Sequence, residues 1–256
     1  MTDMHDAARR GFSSEAQTYE RGRPEYPAAI ETWLTHDRGI GPGAAVVDLG
    51  AGTGKFTRLL VAAGAQVTAI EPVAAMQAQL SQRLPQVRTL TGVAEQMPLA
   101  SGSADVLVCA QAFHWFATPA ALAEMHRVLK PGGRLGLVWN VRDESVDWVA
   151  EITRIITPYE GDAPRYYKGD WRRPFAHAPF APLELSCFEY QHVGSAQQVI
   201  LDRFLSVSFI AALAADEKAR VAARLQALVD THPALAGQAE IRFPYRTEAY
   251  RVLRLD

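Results

Sequence analysis

Cysteine is scarce in this chain of 256 residues: Cys109 and Cys187 stand far apart, outside any C-x-x-C spacing and with few histidines near either. That excludes a disulfide framework and a thiolate zinc cluster, and it leaves both side chains as reduced, buried filling. Long apolar runs are missing as well. No stretch approaches the roughly 18 residues that a membrane-spanning helix needs. The amino-terminal segment carries acids, arginines and prolines where a secretion signal requires an apolar core, so a cytoplasmic protein is expected. Excess positive charge is absent too: the formal net charge is -2. Arg9, Arg10, Arg21, Arg23 and Arg38 are interleaved with acids, so no basic arm is available for nucleic acid or a membrane surface. There is no low-complexity tract and no internal repeat. With 48% hydrophobic and 21% charged residues, the composition is that of a globular chain with a sizeable core.

From Ala44 onward, short apolar runs alternate with longer helical patterns, the rhythm of βαβ units. This predicts an α/β fold with a doubly wound, mainly parallel sheet. Strands are expected at Ala45–Leu49, Gln66–Glu71, Val87–Thr91, Ala104–Ala110 and Arg134–Asn140, with helices near Lys55–Ala63, Val73–Arg83 and Pro119–Leu129. The last helix is well punctuated: Thr118 can cap it, Pro119 suits its first position, and Lys130-Pro131-Gly132-Gly133 stops it. Residues 1–42 read as a helical cap broken by Pro24 and Pro27, residues 43–145 as the core, and residues 146–256 as a lid segment with closing strands, all within a single domain. In the last part a helix at Val146–Ile156 precedes an aromatic, proline-rich loop over 158–182. A strand at Leu185–Val193, helices at Ser195–Val207 and Asp216–Thr231, and an extended pair at Ile241–Tyr245 and Glu248–Leu253 follow.

The stretch Val46-Val47-Asp48-Leu49-Gly50-Ala51-Gly52-Thr53-Gly54-Lys55 runs from a buried strand through three alternating glycines into a helix. Such a turn brings backbone N–H groups and the positive end of a helix close to a polar ligand. Glu71, followed by Pro72 at the end of the next strand, is placed to accept both hydroxyls of a ribose. A nucleotide P-loop does not fit, because Leu49 stands where its first glycine should be and Phe56 follows Lys55. A dinucleotide loop is weakened, since its third glycine comes one residue early and Lys55 takes the place of a small residue; that reading stays open.

The pattern D-L-G-x-G-T-G followed by E-P resembles the first two motifs of class I S-adenosylmethionine-dependent methyltransferases. Gly92–Leu99, Ser103–Leu107, Gln111-Ala112-Phe113-His114-Trp115-Phe116 and Leu129–Gly133 continue the likeness. Within that superfamily, A-x-H-W-F, the early Tyr19 with Arg23-Pro24-x-Tyr26-Pro27, and Pro244-Tyr245-Arg246-Thr247 are most similar to a small-molecule, type 11-like group that includes trans-aconitate methyltransferases. The resemblance implies a seven-stranded sheet with its last strand antiparallel, and S-adenosyl-L-methionine as cofactor. It further implies Asp48 near the methionine ammonium, Gly50, Ala51, Gly52 and Gly54 under the methionine and ribose, Glu71 and Pro72 at the ribose, and Ala94 and Glu95 beside the adenine. Met76 covers the adenine face or fills the core, and Gln111 lies where cofactor and acceptor meet.

The implied acceptor is a small molecule, methylated at a carboxylate or hydroxyl oxygen. A methyl group on a sulfonium is already electrophilic, so catalysis is mainly the holding of an acceptor in line, and a general base is optional. His114 is the candidate catalytic residue, expected to position more than to deprotonate, with a cavity-wall role as the alternative. Tyr19, Arg23, Tyr26, Trp115, Trp139 and Trp171 are the candidate acceptor contacts, and Arg21, Arg172 and Arg173 could also recognise an acid. No histidine has a ligand-spaced partner, so no metal is expected. The chain is expected to act as a monomer or homodimer; a cofactor-holding regulator and, more weakly, a nicotinamide oxidoreductase are the alternatives.

Overall fold

The computed structural model describes residues 22–37 and 39–256. Seven strands form its frame: β1 (Ala45–Leu49), β2 (Gln66–Ile70), β3 (Arg88–Leu90), β4 (Ala104–Ala110), β5 (Leu129–Arg142), β6 (Glu184–Gly194) and β7 (Ile241–Leu253). They lie in the order 3-2-1-4-5-7-6. The first five run parallel, and β7 is antiparallel, with the Arg254 N–H donating to the Gly133 carbonyl and the Asp143 N–H to that of Pro244. Parallel strands covered on both faces need unbroken apolar runs. Val46, Val47 and Leu49 of β1 and Val106 to Cys109 of β4 supply them, all buried. Asp48, opposite Ala69 on one side and Val108 on the other, is the exception in the middle of the sheet.

The longer helices are α1 (Thr57–Ala62), α2 (Ala74–Arg83), α3 (Pro119–Val128), α4 (Asp147–Ile156) and α5 (Ala215–Thr231). Thr118 caps α3 as expected, its hydroxyl accepting from the Ala121 N–H at 3.1 Å. The stop signal after α3 does not make a loop, however. β5 starts at once at Leu129, and Lys130–Gly133 form an irregularity that shifts its register against β4 between Ala104 and Val106. A bulge is where a strand tolerates proline and glycine.

Two compact units divide the chain. One comprises Tyr26–Trp139, Pro164–Phe188 and Thr247–Asp256, and its core gathers Trp33, Leu34, Phe56, Leu60, Val106 and Val108. The other comprises Asn140–Ala163 and Glu189–Arg246 with the described residues up to Glu25, around Trp148, Ile152, Val199, Phe204, Leu225 and Phe243.

Three expectations need correction. Cys187 is exposed, whereas Cys109 is buried. The reason is position: β6 is an edge strand whose residues alternate between half-covered and exposed, and Cys187 falls on the open phase. The expected pair Ile241–Tyr245 and Glu248–Leu253 is one continuous strand, because nothing between them turns the chain. Ser195–Val207 is not one α-helix but a wide turn at Gln197–Asp202 followed by a short helix at Arg203–Leu205.

Candidate active site

The glycine turn begins where β1 ends, and all three of its glycines have positive φ: +72° at Gly50, +58° at Gly52 and +88° at Gly54. At Gly50 the sterics are as restrictive as the backbone, since an added Cβ would lie 2.7 Å from the Ala112 Cβ. The turn therefore packs directly on the loop that leaves β4. Next to Gly52, the Met76 sulfur lies 3.9 Å from where a Cβ would stand, and Met76 is buried.

Two buried carboxylates flank the turn. Asp48 accepts from the Thr57 hydroxyl at 2.6 Å through Oδ2, while its Oδ1 is buried without a hydrogen-bond partner among the described residues. Burial pushes its pKa up to about 7; the Thr57 bond opposes that shift and the charge of Glu71 adds to it. Glu71 accepts the Gly52 N–H at 2.8 Å on one oxygen and the Val73 N–H at 2.9 Å on the other. Its pKa is also raised by burial, partly offset by these two N–H bonds. A desolvated carboxylate with an unsatisfied oxygen is an expensive arrangement unless a cation or hydroxyl completes it. Pro72 and Ala51 are half-buried beside these groups in sequence. Ala94 is buried, and half-buried Glu95 accepts from the Thr118 hydroxyl at 3.3 Å, which ties it to the start of α3.

After β4 the chain makes a sharp exit. Gln111 is the one non-glycine residue with positive φ (60°) among the described residues, and its N–H donates to the Val138 carbonyl at 2.8 Å. Such backbone strain clusters at functional sites. A single 3₁₀ turn, Phe113–Trp115, then presents His114. The Trp139 indole N–H donates to His114 Nδ1 at 3.1 Å. An indole N–H can only donate, so Nδ1 carries no proton and the neutral ring holds its proton on Nε2.

Of the candidate acceptor contacts, half-buried Trp115 lies 5.2 Å from the His114 ring and Tyr26 meets the edge of Phe56 at 4.9 Å. Trp139 and Trp171 are nearly fully buried, 4.7 Å apart, with Tyr166 over both. Arg23 is half-buried, and exposed Arg173 pairs with Asp170. Tyr19 and Arg21 lie outside the described residues.

Sequence reasoning missed the support behind this wall. Tyr166 donates to Glu248, its hydroxyl meets that of Tyr250 at 2.7 Å, and Arg172 donates to Tyr250 at 2.7 Å while lying 4.2 Å over Trp171. Burial and the Glu248 carboxylate hold the Tyr166 phenol well above its usual range. Only the alternation that puts Glu248 and Tyr250 on one face of β7 hinted at this network. Among the described residues, no group of three or more His, Cys, Asp or Glu could hold a metal ion, and no helix is long and apolar enough to cross a membrane.

The family profile of the methyltransferase domain matches residues 47–137, the segment that carries the glycine turn, both carboxylates and His114. An uncharacterized methyltransferase of Mycobacterium tuberculosis is 40% identical over 242 residues, covering 94% of each chain. The chain belongs to the class I S-adenosylmethionine-dependent methyltransferases. A malonyl-[acyl-carrier protein] O-methyltransferase of Serratia marcescens is 29% identical over 197 residues, 75% of this chain and 72% of that one. Among solved structures, phosphoethanolamine N-methyltransferase 2 of Haemonchus contortus shares the fold with a TM-score of 0.60 at 13% identity, covering 100% of this chain and 61% of that one. This methyltransferase thus uses S-adenosylmethionine as its cofactor, and the unsatisfied Asp48 Oδ1 and the open-backboned glycine turn suit a ligand with a cationic end and ribose hydroxyls.

Proposed function

We propose that this methyltransferase methylates a small molecule at an oxygen, carboxylate or hydroxyl, and that it does so by positioning rather than by general base catalysis. The observation that carries this reading is the Trp139-to-His114 hydrogen bond. With Nδ1 committed to the indole and the proton on Nε2, neutral His114 has no lone pair left to take a proton. It can only donate from Nε2, which is what an acceptor oxygen needs for orientation. When bound, S-adenosylmethionine supplies a methyl on positively charged sulfur: the acceptor oxygen forms the new O–CH3 bond as the S–CH3 bond breaks, its electron pair going to sulfur. A carboxylate acceptor is already ionised at neutral pH and needs no base.

In this reading Asp48 meets the methionine ammonium, and Gly50, Ala51, Gly52 and Gly54, whose N–H groups are bonded within the turn and to Ile70 and Glu71, let the backbone come close to the methionine and ribose. Glu71 and Pro72 meet the ribose, Ala94, Glu95 and Met76 border the adenine, and Gln111 stands where cofactor and acceptor meet. Tyr26 and Trp115 give the acceptor an aromatic surface, the buried Trp139 and Trp171 back it from behind His114, and Tyr19 and Arg23 are further contacts. The printed activity of the Serratia marcescens relative, an O-methyltransferase, supports oxygen as the acceptor atom. The finer likeness to trans-aconitate methyltransferases rests on sequence motifs alone and favours a carboxylate.

S-adenosylhomocysteine titrated into the wild type and Glu71→Ala tests the cofactor half; the variant should bind at least about tenfold more weakly. For the acceptor half, small carboxylic acids, phenols and amines are screened for methyl transfer, and the pH profile of kcat/KM is measured for His114→Ala. We expect a loss of about 10- to 100-fold that persists from pH 7 to 9. Recovery of the variant at high pH would show that His114 had been removing a proton, and would overturn the positioning reading.

A further inference from the structure

In the unit built around Trp148 and Phe243, two guanidinium groups are buried against one ring. Arg142 ends β5, and its Cζ lies 5.6 Å from the Phe204 ring centroid; that of Arg203 lies 5.2 Å from the same ring. Arg203 is 9% exposed, its Nε donates to the Tyr245 hydroxyl at 3.2 Å, and its Nη1 is buried with no hydrogen-bond partner among the described residues. The Arg142 side chain is 12% exposed, and Glu144 stands 3.6 Å away and half in solvent. Glu160, itself buried, is the other carboxylate whose charge reaches Arg142. Burial first, and then the charge of Arg203, hold the Arg142 guanidinium below its usual range.

Arginine cannot escape such a site by losing its proton, as a lysine or histidine would. A buried guanidinium nitrogen without an acceptor, next to a second cation, is unfavourable in an otherwise apolar core. The cation–π contacts with Phe204 return only part of what desolvation removes. Among the described residues the Arg203 Nη1 has no acceptor, and Glu144 meets Arg142 only at 3.6 Å, which leaves room for a planar, two-oxygen acceptor.

We propose that Arg142 and Arg203, with Tyr245, form a binding site for the carboxylate of a small organic acid. A monoanion suits it better than phosphate, because Glu144 and Glu160 would repel the second negative charge. The site stands on its own geometry and does not depend on the function proposed above.

The test is calorimetry and thermal unfolding with benzoate and hexanoate, with inorganic phosphate as comparator, on the wild type, Arg203→Met and Arg142→Gln. S-adenosylhomocysteine is titrated into each protein in parallel. At least one acid should bind the wild type and raise its Tm, and both variants should lose about tenfold or more in affinity for it. Unliganded Arg203→Met should melt higher than the wild type, because an unpaired buried cation has been replaced by an apolar side chain. Should Arg203→Met fail to fold, Arg142→Gln carries the comparison, since it removes the charge while keeping a polar side chain at the end of β5. The proposal is overturned if no acid binds the wild type, if the acids bind the variants equally well, or if phosphate binds more tightly than every acid. Loss of S-adenosylhomocysteine binding by the wild type is a separate outcome that counts against the cofactor reading and not against this site.

Discussion

Asp48 and Glu71 sit where burial favours their neutral forms, so a cationic ligand and a proton compete for the same carboxylates. For Asp48, folding raises the pKa from 3.8 to about 7. Between those values the unfolded chain has released its proton while the folded chain retains it, so this group's contribution makes the unliganded protein less stable as pH rises through that window. Replacing Asp48 by Asn removes the effect. The stability advantage of Asp48→Asn over the wild type should grow by up to about 1.4 kcal/mol per pH unit from pH 4 to 7, measured by denaturant unfolding. A constant difference across that range would show that the carboxyl is already ionised in the fold. The ligand side of the competition gives a second expectation. An ammonium group at Asp48 lowers its pKa, so S-adenosylhomocysteine binding near pH 7 should expel a proton. Titrations in two buffers of different ionisation enthalpy should then give different apparent binding enthalpies, and Asp48→Asn should abolish the difference. These two acids were legible in the sequence because a buried strand carrying one acid runs into a glycine turn, and the next strand ends on the other. Cys187 was not legible in the same way, because strand order, and not the cysteine itself, decided that it lies on an open edge.

At the scale of elements, the decisive junction is the one between the end of β1 and the loop after β4. Gly50 has positive φ, and an added Cβ would lie 2.7 Å from the Ala112 Cβ, so either the turn or the Gln111–Ala112 exit must move to admit a methyl group. Gly50→Ala is expected to lose about 1–3 kcal/mol of stability through backbone strain and overpacking. It should also weaken S-adenosylhomocysteine binding by more than the Tm change accounts for, because the turn itself is displaced. Wild-type affinity in a destabilised Gly50→Ala would separate the turn from the cofactor. Thr118→Ala serves as the comparison: it removes the cap of α3 and the bond to Glu95, and about 1 kcal/mol is expected from the cap alone. The cap could be read from Thr118-Pro119, whereas the Gly50–Ala112 contact could not, because it joins elements that only the sheet order makes neighbours. β5 shows the same limit: the proline and glycines after α3 mark a break in helix, yet pairing with β4 turns them into a bulge within a longer strand, and that strand reaches Arg142.

Over the whole molecule, the glycine turn, Asp48, Glu71 and His114 belong to the unit around Trp33 and Phe56, while Arg142, Arg203 and Tyr245 belong to the one around Trp148 and Phe243. The first set was visible because each of its residues neighbours the end of a strand that the sequence pattern marks. The second was not, since Arg142, Arg203 and Tyr245 come from three separated segments and become a cluster only through burial against Phe204. Each unit has its own apolar core, and local opening follows local packing, so ligands that bind different units should protect different amides from hydrogen exchange. S-adenosylhomocysteine should slow exchange at Gly50 to Thr57 and at Val73, whose N–H groups line the turn or meet Glu71. An acid that occupies the arginine pair should instead slow exchange around Arg142 and over Arg203–Ser206, where its carboxylate would replace the missing acceptor. Mass spectrometric exchange with each ligand alone distinguishes the cases: two separate footprints support two sites, and an acid footprint confined to the glycine turn would mean that the arginines bind nothing and that their burial needs another cause.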